Sequence, residues 1–417
     1  YVVPVAGAPT VDGVVVIEGG KIVSVGQSAP ADAVVVDLNE LNRENACGVA
    51  VLPGLINAHT HLEFSDLVAP LGSPGTRLPD WIREVDTYRL NQQGESPTAI
   101  NDPQRFAAGL RECFQTGATT IGDIAQTDTP FREADESNGN RPPCDVTAFV
   151  ELLGLSDDRS ESAIAELTTC SIRLAKEAPN WQMGVSPHAP YSTHWKLVQA
   201  LCRHACDHNL PVAMHLAESP EELELLTSHS GPFRELLNDL GVWNDNAIPR
   251  GVTALDYLQQ LAGVPRALVI HGNYLTSAEM QFIADQRTSM SVVYCPRTHS
   301  YFQHRDYPLQ QLLAAGVNVA LGTDSRASNP DLNLMQEMRH VLQRHPNVPP
   351  AAIVRMGTIN GAVALGCEEF RGTLEPGKDA DLAIFSLDEE LDDEAALLSQ
   401  SARCLATMKR GDLTHHN

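Results

Sequence analysis

Eight times along this 417-residue chain a short apolar run is followed by a stretch of helical character, and that alternation restricts the fold more than any other feature. The runs are LPGLINAHTH, ATTIGDIA, DVTAFVELLG, WQMGVSPHAPYS, LPVAMHLAES, ALVIHGNYL, SMSVVYCP and VNVALGTDS. Strands alternating with helices pair in parallel under a helical cover. Eight such units close into a (β/α)8 barrel of the TIM type, an α/β fold whose functional groups gather where strands end and loops begin. The polar clusters of these runs lie at their C-terminal ends, so a site is expected on that rim.

The two chain ends have a different texture. VDGVVVIEGGKIVSVGQ reads as a hairpin turning at Gly19-Gly20, and more short strands are expected up to about Leu41. GTLEPGKDADLAIFSL contains an alternating strand from Ala380 to Phe385. Both ends are expected to build one small β-sandwich domain, residues 1–50 plus 371–417, around a barrel of residues 51–370. A long connection from Phe64 to about Asn101, with a helical piece around Trp81, suits a pocket wall. The polar, Pro/Gly-rich stretch from Gln126 to Pro143 reads as a surface loop.

Lys and Arg number 29 against 53 Asp and Glu, a net charge of −24. Such a surface repels phosphate backbones and anionic membranes, so neither a nucleic-acid polymer nor a membrane is an expected partner. No run approaches the roughly 18 apolar residues that span a bilayer, and a cytoplasmic location is expected. The opening, YVVPVAGAPT, lacks a signal-peptide pattern; a leader removed ahead of Tyr1 is left open. Nine scattered cysteines point to free thiols. Cys202 and Cys206 share one helical face while His204 and His208 share another, so no zinc cluster is expected there. The oligomeric state is open, a homodimer being one option.

The stretch VLPGLINAHTHLEFSD places His59 and His61 two residues apart, hence on one side of a strand. Neutral imidazole is the commonest protein ligand for zinc and related ions. The fifth run supplies His215, the sixth His271 and the eighth Asp324. Each alone reads as an ordinary polar residue or, for Asp324, a helix cap. Together, at four strand ends, these five residues point to a catalytic metal centre with an open position for water.

HTH after the first strand, HLAE at the fifth, HG at the sixth and GTDS at the eighth resemble the metal-dependent amidohydrolase superfamily, in its deaminase and chlorohydrolase branch. The resemblance covers essentially the whole chain, including the split β-domain. HTHLEFS, SPHAPYS and CPRTHSYF are most similar to aminofutalosine deaminases, with adenosine-type and S-adenosylhomocysteine deaminases next. It implies that His59, His61, His215 and Asp324 hold one divalent ion, zinc first and iron second. Strand four ends in Ser186-Pro187-His188, without the lysine that binuclear relatives carboxylate, so a single ion is expected.

A divalent ion lowers the pKa of bound water from about 15.7 to roughly 7, which makes hydroxide available at neutral pH. In that setting Asp324 is expected to take the water's proton, Glu218 to protonate a ring nitrogen, and His271 to orient the nucleophile. Glu218 has a plainer reading as an acid at a helix N-terminus. A flat heterocycle needs a stacking wall and polar readers; Trp81, Glu151, His188, Arg297 and His299 are the candidates.

The expected activity is hydrolytic deamination of an aminated purine nucleoside or related small heterocycle. The alternatives are chloride or amine displacement from triazine-like rings, or amide hydrolysis, on the same site. A non-catalytic binding barrel would lack a ligand or the proton donor, and neither is missing.

Overall fold

The structure is a computed structural model that describes residues 1–41, 48–95, 102–131, 143–388, 390–391 and 394–415. Its strands are β1 Val14–Glu18, β2 Lys21–Gly26, β3 Val49–Pro53, β4 Leu55–Thr60, β5 Ala118–Ala125, β6 Asp145–Leu152 and β7 Gln182–Pro187. They continue with β8 Val212–Leu216, β9 Ala267–His271, β10 Met290–Tyr294, β11 Asn318–Leu321, β12 Leu382–Ser386, β13 Cys404–Lys409 and β14 Asp412–His415.

Strands β4 to β11 pair in parallel in chain order, matching all eight expected units. The ends of the sheet meet where the Asp324 amide donates to the His59 carbonyl at 3.1 Å. Asn57 reinforces this seam, accepting from the Thr323 amide and donating to the Thr323 hydroxyl. Gly322 is required there, since a Cβ would fall 2.8 Å from both the Cβ and the carbonyl oxygen of His59. The barrel is thereby closed, as a (β/α)8 fold demands.

Its interior is filled by Ile56, Ala58, Ile124, Phe149, Ala213, Leu268, Ile270, Val293 and Ala320, drawn from seven of the eight strands. The helix Ile359–Leu365 packs Ala362 and Leu365 into the same cluster. A second, larger cluster lies between the strands and their helices. The helix Pro103–Gln115 illustrates the local logic: Asp102 caps it by accepting the Gln104 amide, Pro103 opens it, and Phe106, Leu110, Cys113 and Phe114 are buried.

The chain ends form a four-stranded antiparallel sheet, β14-β13-β12-β3, facing the β1-β2 hairpin. Val15, Ile17, Ile22 and Val25 of the hairpin share a core with Val49, Val51, Leu382, Ile384 and Ala406. Two differences from the sequence reading stand out. The run VLPGLINAHTH is two strands, because Gly54 breaks it where a Cβ would meet Thr119 Oγ1 at 2.2 Å; β3 pairs with β12 rather than with the barrel. Among the described residues no strand forms between Gly26 and Val49: Val34, Val35 and Val36 are exposed without a partner strand, and β-propensity alone does not make a strand.

The connection after β4 carries the helix Leu78–Glu95, with Trp81 in its first turn, as expected. In the Gln126–Pro143 connection residues 132–142 lie outside the described residues. Its first part is anchored by buried Phe131 and by Arg173, which donates to the Thr127 and Thr129 carbonyls. The eight described cysteines are free thiols. No helix among the described residues is long and apolar enough to cross a membrane.

Candidate active site

His59 near the end of β4, His61 just after it, His215 on β8, His271 ending β9 and Asp324 after β11 converge on the barrel mouth. His59 sits with its ring centroid 4.9 Å from His61, 5.0 Å from His215 and 5.7 Å from His271. Asp324 Oδ1 lies 3.6 Å from the Nε2 atoms of both His59 and His61. Two donor trios, His59–His215–His271 and His59–His61–Asp324, each bring their ligand atoms within 4.8 Å of one another.

The donor set fits a divalent cation. Both ring nitrogens of buried His59 lack a hydrogen-bond partner, an arrangement that buried polar groups otherwise avoid. Burial, then the neighbouring His215, pushes the His59 pKa well below its usual value. His61 is likewise lowered by burial and by His59, and His215 falls to about 4 through burial and His188. These imidazoles are therefore neutral, with lone pairs to offer. His215 Nδ1 is 3.0 Å from the His188 carbonyl, so it carries the proton and leaves Nε2 with the free lone pair. The Asp324 carboxylate is oriented by the Ser325 amide and the Ser328 hydroxyl.

Glu218 stands against this cluster, its Oε1 3.4 Å from His271 Nε2. Burial, together with Asp324 and Glu222, raises its carboxyl well above the usual range. His271 is pushed well below its usual value, chiefly by burial. Burial thus works against charge on both partners of this contact. Sequence reasoning missed what holds Glu218. Glu222 accepts the amides of Ala217 and Glu218 at 2.8 and 3.0 Å, and Asn273 donates to the Glu218 carbonyl at 2.9 Å. The signal was present in SPEE, where Ser219 caps the helix by accepting the Glu222 amide and the Glu222 side chain turns back onto the preceding loop.

A second group of carboxylates was half seen. Glu151 ends β6 beside His188, 3.8 Å from its Nε2, and accepts from Gln126 at 2.8 Å. Glu151, His188 and His215 also lie within 4.8 Å of one another. Glu63, overlooked in HTHLEFS, is 2% exposed and takes a 2.8 Å bond from Arg89 on the helix Leu78–Glu95. Glu63 Oε2 and Glu151 Oε1 are buried without a donor. Burial, then Arg89, lowers the pKa of His188 to about 3.

The remaining candidates are placed otherwise. Arg297 is held by two acids, its Nε bonding Glu337 and its Nη2 bonding Asp331, both at 2.6 Å. The expectation overlooked these acids because Asp331 and Glu337 lie 34 and 40 residues further on. His299 is buried among Tyr294, His304 and Tyr307. Trp81 rests edge-on against Phe302 and donates its indole N–H to the Ala327 carbonyl at 3.2 Å.

Residues 50–414 match the profile of the amidohydrolase family. Aminodeoxyfutalosine deaminase of Deinococcus radiodurans is 28% identical over 373 residues, covering 83% of this chain and 81% of its own length. The 5-methylthioadenosine/S-adenosylhomocysteine deaminase of Pyrococcus furiosus is 29% identical over 408 residues, covering 93% and 86%. Atrazine chlorohydrolase from Arthrobacter aurescens, solved with zinc, superposes with a TM-score of 0.75 at 20% identity, over 97% of this chain and 90% of its own. The extent of the profile match, together with the closed barrel and its histidine-rich mouth, settles the assignment: this chain belongs to the amidohydrolase family, hydrolases of carbon–nitrogen bonds.

Proposed function

We propose that this chain hydrolytically deaminates an amino-substituted purine nucleoside, with one divalent cation, zinc for preference, held by His59, His61, His215 and Asp324. The observation that carries the reading is the buried Glu218 carboxyl set 3.4 Å from His271 Nε2, beside the histidine cluster of the barrel mouth. The sequence likeness to two nucleoside-type deaminases over most of the chain supports the same class.

A cation in that site supplies Lewis acidity and acidifies water. The chain's own groups do the rest. Asp324 takes the proton of the attacking water and returns it to the departing amine. Glu218, carrying a proton in its resting state, delivers it to the ring nitrogen next to the carbon under attack. His271 stabilises the charge that develops on the incoming oxygen. Ammonia leaves, the adduct's hydroxyl gives its proton back to Glu218, and the ring keeps a carbonyl and a protonated ring nitrogen.

The acceptor oxygens of Glu63 and Glu151 support a nucleoside over a free base. Buried acceptors without donors are costly, and adjacent sugar hydroxyls are donors that would satisfy them. Ammonia release by the zinc-loaded enzyme, assayed across nucleosides, free bases and chlorotriazines, tests the proposal. Release from a nucleoside is expected; chloride from a triazine with no ammonia from any purine would refute it.

A further inference from the structure

We infer that Tyr307 is a positioning residue for His271, its hydroxyl holding the peptide conformation that turns this imidazole into the barrel mouth. Side chains alternate along a strand. On β9, Leu268 and Ile270 belong to the barrel interior while Val269 faces the helices. Alternation alone would send His271 outward with Val269. Its φ of +66° overrides this, and the ring instead lies 5.5 Å from that of His215 and 3.4 Å from Glu218.

A left-handed backbone at a residue other than glycine is strained and persists only where its surroundings enforce it. The Tyr307 hydroxyl donates to the His271 carbonyl at 2.9 Å. Tyr307 is itself fixed, nearly buried and stacked on Tyr294 with ring centroids 3.7 Å apart and planes 10° from parallel. The next amide, that of Gly272, is bonded to the Leu216 carbonyl at 3.1 Å, so the turn is held on both sides. Tyr307 lies 36 residues beyond His271, and its hydroxyl reaches the site through the His271 carbonyl.

The test uses Tyr307→Phe, which keeps the stacked ring and removes only the hydroxyl, with Tyr294→Phe as its control. Tyr294 has its own hydroxyl directed at His345, 3.4 Å away. In metal-free, 15N-histidine-labelled protein, the His271 ring resonances, assigned by their loss in His271→Asn, should shift in Tyr307→Phe and stay in place in Tyr294→Phe. In the zinc-loaded enzyme, Tyr307→Phe should lower kcat about 10- to 100-fold, as small misplacements of catalytic groups do, with KM changed less than about 2-fold. Unmoved His271 resonances in Tyr307→Phe, or equal shifts in both variants, would overturn the inference. The kinetic arm rests on the deaminase reading; should the wild type release no ammonia, that reading falls while the spectra still decide the role of Tyr307.

Discussion

His271 Nε2 and Glu218 Oε1 meet at 3.4 Å where the ends of β9 and β8 adjoin, and burial drives both toward their neutral forms. A carboxyl that holds its proton before substrate arrives is ready to act as an acid. Glu218→Gln preserves the shape of that group and its place against His271 while removing the transferable proton. Turnover should fall by at least ~10²-fold with the metal content per chain unchanged by elemental analysis. Near-normal turnover would remove Glu218 from the chemistry.

His59 is the most committed of the imidazoles, since neither ring nitrogen has another partner. His59→Ala should therefore lose metal as well as rate, read as zinc per chain after dialysis against a weak chelator. Near-UV circular dichroism on the same sample checks that the fold is kept. Full occupancy in a folded variant would count against ligation by His59.

The strand ends were legible because an apolar run followed by a polar residue marks both a strand and its rim position. The orientation of His271 was not, because it depends on a backbone angle that contradicts strand alternation, hinted at only by the glycine that follows. Glu63 was hidden for another reason: its partners Arg89 and Arg105 lie 26 and 42 residues away, on helices of the first long connection. Val34–Val36 shows the opposite error, where β-branched composition suggested a strand but no neighbouring edge was there to receive it.

Glu222 offers a pH-dependent test of the loop that carries Glu218. Burial raises its pKa from 4.5 to about 7, although the amides of Glu218 and Ala217 pull the other way. A carboxyl with a raised folded pKa binds more protons in the native than in the unfolded state between those two values, so its contribution to stability declines as pH rises through that window. Glu222→Gln is neutral throughout. Relative to the wild type it should gain on the order of 3 kcal/mol between about pH 4.5 and 7, on top of a constant loss from one amide left without an acceptor. Denaturant midpoints across that range measure the difference; parallel curves would mean that Glu222 is ionised in the folded protein at acid pH.

Arg297 follows the catalytic rim in sequence, yet its effects should be structural. The guanidinium spans Glu337, which is fully buried, and Asp331. Burial works against ionisation of Asp331, but the bond and charge of Arg297 outweigh it and hold its pKa below the usual value. Glu337 also fixes Asn329, which donates in turn to the Thr323 carbonyl beside Asp324. Removing one partner of a buried pair leaves the other charge uncompensated, at a cost of roughly 3–5 kcal/mol. Arg297→Ala should thus lower the melting temperature markedly while the KM of the residual folded enzyme stays near that of the wild type. A raised KM without loss of thermal stability would place the guanidinium in the substrate pocket instead.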